Sequence, residues 1–235
     1  MKKIKLGDVA DVRISGVDKK TVPGESPVRL CNYTDVYYNW AIRPTMYDGF
    51  MSASAKEDEI AKFRLHAGQV AMTKDSETRG DIGHTAFVSS DFDDVILGYH
   101  CALISPHNGV LDGCYLNALF RTHHIADYLA RNAGGSGQRY YLSESAIRDI
   151  PLSLPPYEAQ LRIAGVICKS YCHRYFFSTK CSFDNCSSIV RSSSAPLALS
   201  SARRDLKPAI FSANSSAVIG TYSIFTSKYC PAESV

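Results

Sequence analysis

The sequence predicts an α/β chain of the α+β type, a twisted mixed β-sheet plus helices. Three observations carry that reading. Short apolar alternations recur between Gly, Pro and Asn punctuation at Val9 to Ile14, Pro27 to Tyr33, Val70 to Met72, Cys101 to Ser105 and Ile150 to Leu154. Asp112 to Ala130 places Leu116, Leu119, Phe120, Ala126 and Leu129 on one helical face. Pro155-Pro156 then forces a break, after which Tyr157, Leu161, Ala164 and Cys168 recur at spacings of 4, 3 and 4, one apolar face of a second long helix.

With 235 residues, 45% of them apolar, the chain has room for one good-sized domain and an appendage. The N-terminus, MKKIKLGDVADV, meets Asp8 and Asp11 before a signal-length apolar run forms, and no run of about eighteen apolar residues occurs. The expectation is a cytoplasmic protein with no membrane segment. A net charge of +3 is too small to indicate a nucleic-acid partner, so a basic surface must come from local clustering. Of eight cysteines, Cys168, Cys172, Cys181, Cys186 and Cys230 crowd the last third. Without a secretory signal they do not read as a disulfide framework.

In order along the chain, the strand at Val9 to Ile14 leads into a Gly/Pro/Lys loop from Gly16 to Pro27 that carries Lys19 and Lys20. The strand PVRLCNY runs into an aromatic and amide cluster, Asn32, Tyr33, Thr34 and on to Trp40, which suits a nucleic-acid surface or a core edge. Ser52 to Lys62 reads as a short helix capped by Ser52 or Ser54. After the His66-Ala67-Gly68 turn and the Val70/Met72 strand comes a polar loop, TKDSETRGDIGH, with Lys74, Ser76, Glu77 and Arg79. It carries the donors and acceptors that base edges require. Further strands at Ala86 to Val88 and Asp94 to Leu97 precede Gly98-Tyr99-His100 and the central strand at Cys101. Beyond the helix, Asn132-Ala133-Gly134-Gly135 reads as its glycine stop, and GGSGQRYY as a flexible loop presenting Ser136, Gln138 and Arg139. Ser143 to Arg148 forms one helical turn. Glu158 places negative charge in the first turn of the final helix.

Two of these segments carry a resemblance. GQVAMTKDSETRGDIGHTAFV is similar to a segment of the specificity subunits of type I restriction-modification systems, matching the turn glycine, the TKDSE run and the DIG turn together. LSESAIRDIPLSLPPYEAQLRIAGVI resembles the junction in that family where a target-recognition domain ends and a spacer helix begins. The Gly-Tyr-His triplet and the Arg-bearing loop before Leu142-Ser143 fall where the family has similar features. The resemblance implies a DNA target-recognition domain over residues 1–154, the start of the spacer helix over 155–170, and an atypical Ser/Cys-rich tail over 171–235. The family would continue in amphipathic helix; this chain turns to Ser and Cys, almost free of Glu, which reads as a frame shift near residues 165–170 or a disordered tail.

What the resemblance implies for function is a non-catalytic, sequence-specific DNA-binding subunit that recognises one half of a bipartite site. The chain itself would hold no cofactor; S-adenosylmethionine, ATP and Mg²⁺ would belong to partner subunits. The partners implied are double-stranded DNA, methyltransferase subunits, a restriction and translocase subunit reached through the complex, and a second half-specificity subunit. Tyr157, Leu161 and Ala164 would face the partner. The alternative is a truncated specificity subunit acting only as an interaction or regulatory protein.

On that reading Lys19, Lys20 and Lys74 neutralise phosphates. Asn32, Tyr33, Thr34, Ser76, Glu77, Arg79, Tyr99, His100, Ser136, Gln138 and Arg139 supply base-edge or sugar contacts. Enzyme readings lack their motifs. Pro155-Pro156-Tyr157 is similar to the amino-methylase motif, but Leu154 stands where its polar acceptor belongs. There is no G-x-x-x-x-G-K-[ST] phosphate loop and no G-x-S-x-G elbow. Asp75, Glu77 and Asp81 form a solvated turn more readily than a Mg²⁺ site. The spacings of Cys168, Cys172, His173, Cys181 and Cys186 are loose for zinc, and no metal site is expected.

Overall fold

The computed structural model describes residues 2–176, and residues 1–171 make one compact unit. The Ser/Cys-rich stretch, its frame-shift reading and the zinc question at Cys172, His173, Cys181 and Cys186 lie outside the described side chains.

A mixed five-stranded sheet forms the centre. Its strands, in chain order, are β2 (Ala10–Ile14), β4 (Ala41–Ile42), β6 (Val70–Thr73), β8 (Thr85–Val88) and β10 (Cys101–Pro106), arranged spatially as β2-β10-β6-β8-β4. All neighbours are antiparallel except β4 and β8. Every residue of β6 is buried, and side-chain alternation sends its residues to two different cores. Val70 and Met72, with Ala102 and Ile104 of β10, join one core; Ala71, Cys101 and Leu103 join the other.

The first core is closed by α3 (Gly113–Leu119), α4 (His123–Asn132), α5 (Glu144–Arg148) and the base of α6 (Tyr157–Phe176). A two-stranded clasp pairs β1 (Lys2–Lys5) with β13 (Pro151–Leu154), seating Ile147, Ile150 and Leu152 beside Leu6. The second core lies under the sheet β5-β3-β9, made of β3 (Ser26–Cys31), β5 (Met51–Ala55) and β9 (Val95–Leu97), with α2 (Glu57–Phe63) against it. A short α1 (Tyr33–Tyr37) follows β3 directly. The last sheet, β11-β12-β7, is built from β7 (Asp75–Ser76), β11 (Gly134–Ser136) and β12 (Arg139–Tyr141).

Four local expectations are corrected. Ser52 to Ala55 is strand, not helix: pairing with β3 overrides alanine's helical preference, Ala53 and Ala55 enter the second core, and Lys56 occupies the helix N-cap. The helix expected over Asp112 to Ala130 is two helices. Thr122 adopts an extended N-cap backbone (φ −82°, ψ 146°), and its hydroxyl donates to the Leu119 carbonyl at 2.7 Å, so α3 and α4 each turn a separate face inward. The strand at Pro27 stops at Cys31, because Asn32 turns into the cap of α1 and its N–H is taken by Asp35 at 2.7 Å. The supposed flexible loop GGSGQRYY is a tight β-hairpin. Ser136 pairs Arg139 across Gly137-Gln138, and Gly137 at φ +69° supplies the first central position of a two-residue turn.

Helix α6 also turns differently from its sequence pattern. Gln160 is buried, bonding the Asp112 N–H and the carbonyls of Val110 and Pro155, while Leu161 stays exposed. Ala164 packs into the first core, and Cys168 Sγ lies 2.7 Å from Cys114 Sγ. Tyr171 stacks on Trp40 at 3.9 Å, with the Arg121 guanidinium on the Trp40 ring at 4.7 Å.

Candidate nucleic-acid interface

The TKDSE run leaves the buried end of β6 and at once becomes β7, which pairs with β12: Ser76 opposite Tyr140, Asp75 opposite Tyr141. The segments TKDSETR and GGSGQR are therefore adjacent strands of one sheet. The Gly98-Tyr99-His100 turn joins them, since the His100 carbonyl accepts the Lys74 N–H at 2.9 Å and the Lys74 carbonyl accepts the Leu142 N–H at 2.8 Å.

Asp75 is the hub of this rim. It is 8% exposed, and Lys74 Nζ bonds both of its oxygens at 3.0 Å. His100 Nδ1 bonds its Oδ2, and His100 Nε2 lies 3.2 Å from Arg139 Nη2. A buried carboxylate is tolerated because its lone pairs are taken by charged or polar donors. Lys74 is thereby neutralised inside the protein, its side chain only 20% exposed, and offers little to a phosphate. Around the hub, the Tyr99 and His100 rings lie 3.9 Å apart, Lys19 Nζ sits 5.4 Å from the Tyr99 ring centre, and Arg79 lies over Tyr140 at 4.9 Å.

A second carboxylate organises an aromatic shelf beside the first. Asp81 accepts from the Tyr37 hydroxyl at 2.8 Å and meets His84 Nε2 at 2.8 Å. Tyr37 stacks with Tyr33 at 5.7 Å and meets Tyr38 edge-on at 4.8 Å, and Tyr38 is 74% exposed. The bond to Asp81 pushes the Tyr37 phenol up to about 12, and burial does the same for Tyr33. The glycine of the DIG turn has a packing reason: at φ +85°, a Cβ on Gly83 would stand 2.5 Å from Leu129 Cδ1 and 3.1 Å from Met72 Cε. Glycine there lets α4 settle onto β6 and sets Asp81 and His84 on the rim.

Of the residues singled out in sequence, Lys19, Tyr33, Lys74, Ser76, Arg79, Tyr99, His100 and Arg139 come together here, with Ser136 and Gln138 at the exposed hairpin tip. Thr34 and Glu77 are exposed and make no contact that positions them. Asn32 is engaged structurally, donating its side-chain amide to the Leu30 carbonyl. Lys20 is exposed but pairs with Asp18 at 2.9 Å, and this bond holds the Asp18 carboxyl below its usual range. Sequence reasoning missed Asp75, Asp81, His84 and Tyr37 as the groups that order the rim. The available signal was two aspartates set among donors in one polar stretch, the second of them two residues before a glycine that must approach a helix.

On α6, Ala164 packs into the chain's own core and Tyr157 lines a shallow pocket with Leu111 and Gly113, while Leu161 stays exposed. Ile163 and Val166 are 41% and 60% exposed and, with Ala159, follow a 4, 3 spacing. Among the described residues no group of three or more His, Cys, Asp or Glu converges as a metal site, and no helix is long and apolar enough to cross a membrane.

A family model described as the type I restriction modification DNA specificity domain matches residues 1–169. No curated protein matches the chain. Among solved structures, the chain resembles one from work on complex assembly and conformational transition of the type I R-M system, at 16% identity and a TM-score of 0.49, over 73% of this chain and 38% of that one. It also resembles the HsdS subunit from Thermoanaerobacter tengcongensis, at 15% identity and a TM-score of 0.46, over 72% and 36% of the two chains. A third is the type I restriction-modification S subunit from M. genitalium, at 10% identity and a TM-score of 0.42, over 71% and 38%. The alignments thus span less than two-fifths of each of those chains.

Proposed function

From the premise that this chain belongs to the type I restriction modification DNA specificity domain family, we propose that it reads one half of a bipartite duplex site and performs no chemistry itself. The observation that carries this is the junction of three sequence-distant segments, at Lys74, His100 and Arg139, in one hydrogen-bonded rim. The β11–β12 hairpin is a two-stranded ribbon, and a ribbon of that width fits the major groove of B-DNA, about 12 Å across. Arg139 and Gln138 then meet base edges, Ser76, Ser136, Arg79 and Glu77 flank them, and Lys19 and Lys20 set register on phosphates. Tyr33, Thr34 and Tyr99 border the groove on the sugar side. Lys74 holds Asp75 and thereby the rim's shape.

The side of α6 that exposes Ile163 and Val166, with half-buried Ala159 in line with them, is the docking surface for a methyltransferase subunit or for the spacer helix of a second half-specificity subunit. S-adenosylmethionine, ATP and Mg²⁺ act on those partner subunits and on the restriction and translocase subunit. The test is co-purification with a type I methyltransferase subunit from the same genome, followed by selection from a randomised duplex pool. Enrichment of one short half-site is the expected result. Co-purification without enrichment supports the alternative of an interaction protein that no longer reads DNA, and a blank result in both assays overturns both readings.

A further inference from the structure

His100 is the only non-glycine residue among those described whose backbone lies in the left-handed region, at φ +67°. Its ring joins two strands that are far apart in the sequence: Asp75 on β7 at Nδ1, and Arg139 on β12 at Nε2. The groups facing it are Asp75 with its partner Lys74, Arg139 and the Tyr99 ring.

The two neighbours require the same tautomer. A guanidinium has only donors, so Nε2 must be bare to accept from Nη2. An ionised carboxylate has only acceptors, so Nδ1 must carry the proton. Neutral His100 with its proton on Nδ1 satisfies both; the imidazolium opposes Arg139, and the Nε2-protonated tautomer opposes both. Resting on the DNA-recognition reading above, we propose that His100 is a positioning residue for specificity. It relays the fixed orientation of buried Asp75 to the exposed Arg139, so that the guanidinium is held before DNA arrives. One guanidinium N–H goes to the ring and the others remain available for the paired acceptors of a guanine edge. A long side chain fixed in advance loses less freedom on binding, and a fixed donor fork rejects a wrong base more sharply than a mobile one.

Two variants separate the halves of the relay. His100→Asn tolerates the left-handed backbone, and its amide reaches the place of Nδ1 but not that of Nε2. His100→Gln sets an amide oxygen near the place of Nε2. The full chain with its methyltransferase partner is assayed on the duplex enriched by the wild type and on a scrambled duplex. His100→Asn is expected to lose about tenfold in discrimination, as Arg139→Ala does. The double variant should lose no more than either alone. His100→Gln, which restores the acceptor for Arg139 but not the donor to Asp75, should fall between His100→Asn and the wild type; full wild-type discrimination in His100→Gln would overturn the Asp75 half of the relay.

A readout that needs no DNA is the ¹⁵N spectrum of the imidazole, with Nδ1 protonated and Nε2 bare as the expected result. An Nε2-protonated ring overturns the proposal. So does a His100→Asn protein that discriminates as the wild type while Arg139→Ala does not, or an Arg139→Ala protein with full discrimination. Should the wild type enrich no duplex, the recognition reading fails and the specificity role of His100 falls with it, whatever the tautomer. Should His100→Asn not fold, the tautomer and the Gln variant decide.

Discussion

At the rim, β7 pairs β12 over two residues and β11 pairs β12 over three, and the buried group at the centre is the carboxylate of Asp75. At the root, β1 pairs β13 over four residues, and Leu6, Ile147, Ile150 and Leu152 are all but inaccessible. The rim is ordered by directional polar bonds among side chains that reach the surface; the root by apolar burial, which has no direction. Directional bonds fix where a donor points and add a modest net stability, about 1.5–3 kcal/mol each where, as at Asp75, one partner is charged. Apolar burial stabilises strongly and specifies no ligand. The molecule therefore separates what keeps it folded from what it recognises, and that separation can be attacked from either side.

The largest effect is expected at the root. Ile150→Ala removes a fully buried side chain from the first core and should lower unfolding free energy by about 2–5 kcal/mol in urea titration. The ratio of cognate to scrambled binding for the folded fraction should not change. A drop in that ratio would mean that the root and rim are not separate.

Next in size is the converse change. Arg139→Ala should leave the thermal midpoint within error, because the side chain is exposed, while costing about 1–3 kcal/mol on the cognate duplex and relaxing one base position. Equal losses on cognate and scrambled DNA would remove the base-reading role.

A smaller effect comes from the aromatic shelf that adjoins the rim. Tyr33 and Tyr37 are raised to about 12, so the native state favours the protonated phenols. Their contribution to stability is complete below the ordinary value of about 10 and is lost as pH rises toward 12. Phenolate absorbance should thus appear late for these two rings, and the unfolding midpoint should fall between pH 10 and 12. Tyr37→Phe should flatten that fall, since its bond to Asp81 is the first cause of its shift.

The layered core was legible in the sequence because alternation survives burial: β2, β3, β6, β10 and β13 all lie where the apolar pattern put them. What failed did so where a local bond outweighed the pattern. Thr122 carries no mark distinguishing it from any helical threonine until its hydroxyl meets Leu119 O. Ser52 to Ala55 has helical composition and becomes strand because β3 lies beside it. For the rim, the residue types were readable and their grouping was not. Nothing in TKDSE says that its lysine serves its aspartate rather than DNA, or that GGSGQR folds back as a hairpin against it. On α6, a 4, 3, 4 spacing identified a helix but chose Leu161 where the structure buries Gln160, because the open polar groups at Val110, Asp112 and Pro155 require an amide.

The smallest expected effect tests the lysines, which sequence treats alike and the structure does not. Lys19 is exposed on the loop before β3, its ammonium beside the Tyr99 ring, and no carboxylate is bonded to its side chain. Lys74 gives its charge to Asp75. Each lysine that displaces a counterion from DNA steepens the salt dependence of binding by about one unit of slope. Lys19→Ala should therefore weaken cognate and scrambled duplexes equally and reduce the slope of log K against log salt by about 1. Lys74→Ala should leave that slope unchanged and act instead on discrimination, because it strips a bond from the carboxylate that orients His100. A slope that falls with Lys74→Ala, and not with Lys19→Ala, would mean that the rim opens on DNA and that its internal bonds are not the ones that read the sequence.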